Sequence, residues 1–264
     1  MANAMAQIVL YDTVGTKMPD KAWSPNVFKI RFALNYKQLP YRTEWVETVD
    51  VRATAQRIGA PPTGKKRDGT LIYTVPIIFC THCNQHVSNS LDIAIHLDRA
   101  FPEKPRLFAP GLADEALVRA WDDQWNQLVG PHFFTIGGAR THAQLPPRAA
   151  AFFRKTREGI FKMSLEEQTS PERVQASWAA LRKGLSRMAK YTPPGETYFA
   201  GGDTPTYPDC VMAAYLVWMK RMFGRDSPEW REIESFDQGR WARLMVAFEQ
   251  WEYTEDNTPA KARL

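Results

Sequence analysis

Apolar and polar positions change their period along this chain, and the changes mark its elements. "QIVLYD" (7–12) is a short, nearly continuous apolar run and predicts a buried strand. Residues 24–37 predict a helix. Val27, Ile30, Phe32, Ala33 and Leu34 form a broad apolar side, while Lys29, Arg31 and Lys37 are expected to reach water. "YRTEWVE" (41–47) alternates as a strand does. Residues 50–60 are helix-like and stop at Gly59, a suitable C-terminal residue. "IYTVPIIFC" (72–80) predicts one buried strand with Pro76 at its entrance, and "QHV" a short partner strand. A capped helix is expected over 88–101, stopping before Pro102. The order β-α-β-α-β-β-α describes a small mixed sheet with helices packed on it.

Beyond this region the strand signal nearly vanishes. "PEKPRLFAPG" (102–111) is rich in proline and glycine and reads as a connection. Helical patterns then run over 112–129, around 147–161, and over 171–190, 208–222 and 240–251. The expected organisation is an α/β domain at 1–104, a linker at 105–111 and an all-α domain at 112–264. In the last domain Thr206 and Asp209 fit T-x-x-D, a capping-box variant at the start of a helix.

Composition narrows the function classes. The 264 residues are 44% hydrophobic and 24% charged, ordinary for a globular chain with a real core. Twelve per cent aromatic residues, nine of them Trp, suggest large apolar surfaces. The net charge of +5 is dispersed, and the one compact basic run, Lys65-Lys66-Arg67, is too short for a nucleic-acid stripe. Three cysteines do not make a secreted disulfide scaffold. No apolar run approaches the ~20 residues of a membrane span, and the first residues lack the pattern of a signal peptide. The expected location is the cytoplasm, with no membrane partner.

Ser24 is the first candidate for chemistry. It precedes Pro25 at the start of a predicted helix, where a serine oxygen ordinarily caps a free backbone N–H. The alternative is a hydroxyl that points outward and donates. A helix N-terminus favours anions. A free thiol titrates near ~8.5, and lowering its pKa by one unit requires about 1.4 kcal/mol. A hydrogen bond to a charged group supplies ~1.5–3 kcal/mol, and the helix end adds roughly 0.3–1 kcal/mol. One hydroxyl at a helix start therefore suffices to hold a bound thiol largely as thiolate near neutral pH, with no His or Asp. Spacing alone leaves both readings open. A second constellation, "CTHCNQH" (80–86), holds C-x-x-C and two His, half of a zinc site. Cys210 and His96 lie far along the chain, so the segment reads as a turn between strands and no metal is expected.

Four stretches, in order along nearly the whole chain, resemble one family. "AWSPNVFKIRFALNYKQLPYRTEWVE", "IGAPPTGKKRDGTLIYTVPII", "VSNSLDIAIHLDRAFP" and "FAGGDTPTYPDCVMAAYLVW" are similar to the glutathione transferases. The particular likeness is to the serine-type, fungal-specific FuA class, relatives of bacterial lignin β-etherases. The resemblance implies a thioredoxin-like N-terminal domain and a helical C-terminal domain. It implies that Ser24 activates the sulfur of glutathione, with Asn26 a second donor. Val75-Pro76 takes the place of a cis X-Pro bond whose exposed backbone pairs with the cysteinyl part of glutathione. Asn89-Ser90 takes the place of an acidic-Ser pair that holds the γ-glutamyl end. Asn89 departs from the usual Asp or Glu, and the lost charge weakens the hold on the ammonium. Lys65 or Lys66 is placed for the glycyl carboxylate. Trp23, Trp121, Trp125, Phe133 and Phe134 are expected to wall a hydrophobic second site between the domains.

The implied activity is conjugation of glutathione, or glutathione-dependent peroxide reduction, on hydrophobic, phenolic, wood-derived compounds in detoxification. Glutathione is a co-substrate, no cofactor is needed, and a homodimer is expected. The alternatives are a non-catalytic ligandin for aromatic compounds, glutathione-dependent β-aryl ether cleavage, and a regulatory protein that keeps only the fold. Ser24 in place of a cysteine argues against thiol-transfer chemistry.

Overall fold

The computed structural model describes residues 7–15, 18, 20–108, 112–200 and 202–255. Its first half is a four-stranded sheet in the order β2-β1-β5-β6. β1 (Ile8–Thr13) pairs in parallel with β2 (Tyr41–Val46) and antiparallel with β5 (Ile77–Cys80), which pairs antiparallel with β6 (Gln85–Ser88). Three helices complete this half: α1 (Pro25–Tyr36), α2 (Val51–Ile58) and α3 (Ser90–Ala100). α2 ends at Gly59, whose φ of 70° is the left-handed conformation that glycine adopts without cost. The segment 72–80 is not the single strand its apolar run predicts. Ile72 instead belongs to a separate two-stranded hairpin, β3 (Gly64–Lys65) with β4 (Leu71–Ile72), and the chain is irregular from Tyr73 to Pro76 before β5 begins.

The second half is helical: α4 (Leu112–Leu128), α5 (Gly130–Gln144), α6 (Pro147–Phe161), α7 (Leu165–Gln168), α8 (Pro171–Ala189), α9 (Tyr207–Phe223), α10 (Pro228–Ser235) and α11 (Arg240–Phe248). α5, α7 and α10 are not foreseen by the pattern. Two adjacent glycines, Gly137 and Gly138, disguise α5. Tertiary packing explains one of them, because a Cβ on Gly137 would stand 3.2 Å from the Trp218 ring of α9. Gly184 of α8 plays a similar part against the α4–α5 junction. There a Cβ would meet the Leu128 carbonyl oxygen at 2.7 Å and Val129 Cγ2 at 3.2 Å. Gly184→Ala is expected to cost about 1–3 kcal/mol through overpacking, seen as a lowered thermal midpoint. An unchanged midpoint would show that α8 shifts freely.

α1 packs against α9 and α3 and shares one apolar core with Ile8, Leu10 and Ile78 of the sheet. Being covered on all sides, it buries the three cations expected to reach water. Each is answered electrostatically. Arg31 donates to the Asp12 carboxylate at 2.8 Å and to the Tyr41 hydroxyl at 3.1 Å. Lys37 donates to Asp98 at 2.7 Å and to the Pro105 carbonyl at 2.9 Å. Lys29 lies 5.4 Å from the centre of the Tyr215 ring. Burial pushes its pKa down, and the charge of Asp122 opposes that shift. At the head of α9, the Asp209 carboxylate accepts from the Thr206 N–H at 2.8 Å, the Thr206 hydroxyl at 2.7 Å and the Phe199 N–H at 2.7 Å. Burial still pushes Asp209 up to about 6. Among the described residues, no helix is long and apolar enough to cross a membrane.

Candidate functional site

Sheet register gathers the candidate residues at one edge. Tyr11, near the end of β1, stands opposite Ile77, and Ile77 stands opposite Ser88, the last residue of β6. The chain leaves β1 here to reach Ser24 and α1, enters β5 here through Pro76, and leaves β6 here to start α3 at Ser90. Two helix N-termini and the Val75-Pro76 turn thus share the edge. Both N-termini carry the partial positive charge of free N–H groups.

Ser24 occupies the N-cap of α1 with an extended backbone (φ −66°, ψ 119°). Its carbonyl accepts the first helical bonds, from Val27 N–H at 3.1 Å and Phe28 N–H at 2.9 Å. Its hydroxyl makes no capping bond, although the residue is only 6% exposed. Pro25 follows at the first helical position, and no acidic residue lies in the first turn to neutralise the helix end. Asn26 is half-buried in that turn.

The Val75-Pro76 peptide bond is cis, as the resemblance implies. Val75 stands outside the β1–β5 ladder, which starts at Ile77, so its backbone groups take no part in the sheet. Asn89 is exposed and holds φ at 75°, a conformation that asparagine tolerates better than most residues. Its side-chain oxygen accepts from the Leu91 N–H at 3.0 Å, so it caps α3. Ser90 opens α3 and is half-buried. Lys65 and Lys66 stand exposed on the β3–β4 hairpin.

The aromatic set divides. Trp125 and Phe133 have no exposed surface and pack with Tyr215 of α9, at ring separations of 5.4 and 5.3 Å. A side chain with no accessible area lines no open pocket, so the expectation for these two is corrected: they are helical-domain core. Trp121 stacks on Trp125 at 5.6 Å and retains a little exposed surface, as does Trp23. Phe134 is half-buried, 5.1 Å from Trp218. A cleft of about 350 Å³ opens elsewhere, beside β2 and α2, lined by Tyr11, Trp45, Glu47, Asp50 and Arg57. It does not include Ser24.

One contributor leaves no mark in the sequence. Arg221 of α9 donates to both oxygens of Asp20, at 2.7 and 3.1 Å, and to the Ala22 carbonyl at 3.0 Å. It thereby clasps the segment leading into Ser24 from the other domain. Asp20 and Arg221 are 201 positions apart, and no local pattern pairs them.

A mixed sheet that presents a cis-proline turn and two helix starts at one edge, backed by a helical domain, defines a thioredoxin-like domain of the glutathione transferase fold. Residues 23–100 match the glutathione S-transferase N-terminal domain and residues 116–251 the glutathione S-transferase C-terminal domain. The chain belongs to the glutathione S-transferase family. It is 30% identical over 252 residues to the glutathione S-transferase-like protein ustS of Aspergillus flavus, covering 88% of this chain and 85% of that protein. It is similar in structure to the glutathione S-transferase CsGST63524 of Ceriporiopsis subvermispora, solved in complex with glutathione. That match has a TM-score of 0.89 and 36% identity, over 94% of this chain and 99% of the other. The glutathione transferase GSTFuA3 of Phanerochaete chrysosporium matches with a TM-score of 0.86 and 35% identity, over 94% and 98%. The resemblance to the fungal FuA class is thereby borne out.

Proposed function

We propose that the chain binds glutathione along the α1–α3 edge and holds it as a thiolate by a hydrogen bond from the Ser24 hydroxyl. The observation that carries this reading is a hydroxyl, uncommitted to its own helix, on a largely buried serine at a helix start without a neutralising acid. The backbone of Val75 pairs with the cysteinyl unit, and Ser90 with the N–H groups opening α3 receives the γ-glutamyl carboxylate. Asn89, occupied with capping and uncharged, contributes less to the ammonium than a carboxylate does. The neighbour from Ceriporiopsis subvermispora, solved in complex with glutathione, supports glutathione as the ligand.

The thiolate then attacks an electrophilic carbon of a hydrophobic, phenolic-type compound, and the thioether forms as the leaving group departs. With a hydroperoxide, the sulfur attacks the O–O bond and releases the alcohol. A second glutathione then reduces the resulting sulfenic acid, giving the disulfide and water. Calorimetric titration with glutathione, followed by assays with an activated aryl chloride and an organic hydroperoxide, tests both steps. Absence of glutathione binding would sink the proposal. Binding without turnover would leave a carrier of aromatic ligands.

Arg221 acts here as a positioning residue. Arg221→Met is expected to lower kcat/KM about tenfold, because a misplaced donor loses its alignment with the sulfur. Arg221→Lys should recover part of that loss, since a single ammonium replaces only one arm of the two-pronged contact. Full activity in Arg221→Met would remove the residue from the site.

A further inference from the structure

The turn at the far end of β5 carries a group that the glutathione site does not use. Cys80 is the last residue of β5, and Cys83 lies in the turn to β6, where Asn84 takes φ 51° as the chain reverses. His96 belongs to α3, which packs across β5 and β6. That packing overturns the expectation that His96 is too remote to matter. The two sulfurs and a ring nitrogen of His96 all lie within 4.8 Å of one another. Both cysteines are free thiols, Cys80 buried and Cys83 exposed. The His96 Nε2 is buried and has no hydrogen-bond partner.

We propose that Cys80, Cys83 and His96 bind one soft divalent cation, with zinc the ion they fit best. Two thiolates and one imidazole are the donors zinc prefers, and hard cations such as magnesium or calcium would find no oxygen ligand in the trio. Zinc–sulfur bonds of ~2.3 Å and zinc–nitrogen bonds of ~2.0 Å place tetrahedral donors roughly 3.5–3.8 Å apart. The trio therefore closes by about 1 Å, a movement that the exposed Cys83 turn can make. Water takes the fourth position on the side where Cys83 meets solvent. Binding expels the two thiol protons and leaves the oxidation state of every group unchanged.

This site is separate from the glutathione edge. Cys80 stands opposite Ile8, the start of β1, whereas Ser24 follows its end. Cys80 lies three residue steps beyond Ile77 along β5, about 10 Å of strand. The bound ion ties the β5–β6 turn to α3, the same helix whose first turn carries Ser90 at the other end.

The test is titration of the reduced, metal-free full chain with Co²⁺. One ion per chain is expected, with an intense near-ultraviolet thiolate-to-cobalt band, tetrahedral d–d bands in the visible, and displacement of both by Zn²⁺. Cys83→Ser, a change at an exposed position, should abolish the thiolate band or weaken affinity at least tenfold, and His96→Gln should weaken affinity comparably. No band, or a band and affinity that survive both substitutions, overturns the site. A second measurement needs no variant. Zn²⁺ should slow alkylation of Cys83 in the folded chain, where the fully buried Cys210 stays unreactive with or without the ion. An unchanged rate at Cys83 overturns the proposal equally.

Discussion

Ser24→Ala is expected to lower kcat/KM for conjugation roughly 10- to 100-fold, while the protein melts almost where it did before. The first effect follows from the charge-assisted hydrogen bond, ~1.5–3 kcal/mol, that the hydroxyl gives the thiolate. Without it the pKa of bound glutathione rises by about one to two units. Activity in the variant should then climb with pH, so that wild type and variant converge in alkaline solution. The second effect follows from the observed geometry. A serine that caps its helix through the side chain costs ~1 kcal/mol when truncated, but here the carbonyl makes the helical bonds and the hydroxyl makes no capping bond. Parallel measurement of pH–rate profiles and thermal midpoints separates the roles. Unchanged turnover with a lowered midpoint would make Ser24 a cap and nothing more.

Asp98→Ala should be the most destabilising of the substitutions considered, by about 3–5 kcal/mol. At the C-terminal end of α3, the carboxylate accepts from Lys37 Nζ at 2.7 Å, from the Leu107 N–H at 2.9 Å and from the Phe108 N–H at 3.1 Å. Lys37 has no exposed surface, and Leu107 in turn accepts from the Tyr207 N–H of α9 at 2.9 Å. Removing one carboxyl group strands a buried ammonium and two linker amides. For a chain of this size the loss corresponds to a midpoint lowered by roughly 5–10 °C. Asp98→Asn keeps an acceptor and should fall between the two. A shift of only a degree or two in Asp98→Ala would show that water reaches Lys37. Because the cluster joins α1, α3, the linker and α9, glutathione affinity should weaken along with stability.

Much of the architecture was legible because strands and helices write their periods locally. The order of the four sheet strands and three helices through α3 (though not the β3–β4 hairpin between them), the Gly59 stop, the Ser24-Pro25 helix start and the Thr206/Asp209 cap all depend on residues within a few positions of one another. The candidate edge was legible only through resemblance, since β1, β5 and β6 must pair before Ser24, Val75 and Ser90 become neighbours. Periodicity misleads where a partner arrives from elsewhere. Lys29, Arg31 and Lys37 sit at positions that look solvated, yet α9 covers their helix, and Asp12 and Asp98 make burial of Arg31 and Lys37 tolerable. Trp125 and Phe133 look like pocket aromatics until α9 closes over them.

By itself the sequence determined that an α/β unit precedes a helical one, that a serine and a proline open the first helix, and that the chain carries the family's motifs in order. Only the tertiary structure decided which charges are buried, which aromatics are core, how Arg221 reaches the Ser24 segment, and that His96 meets Cys80 and Cys83. The reason is physical. Periodicity reports which face of an element avoids water, whereas the cost of a buried charge or an unpaired polar atom depends on groups that the chain delivers from tens to hundreds of positions away.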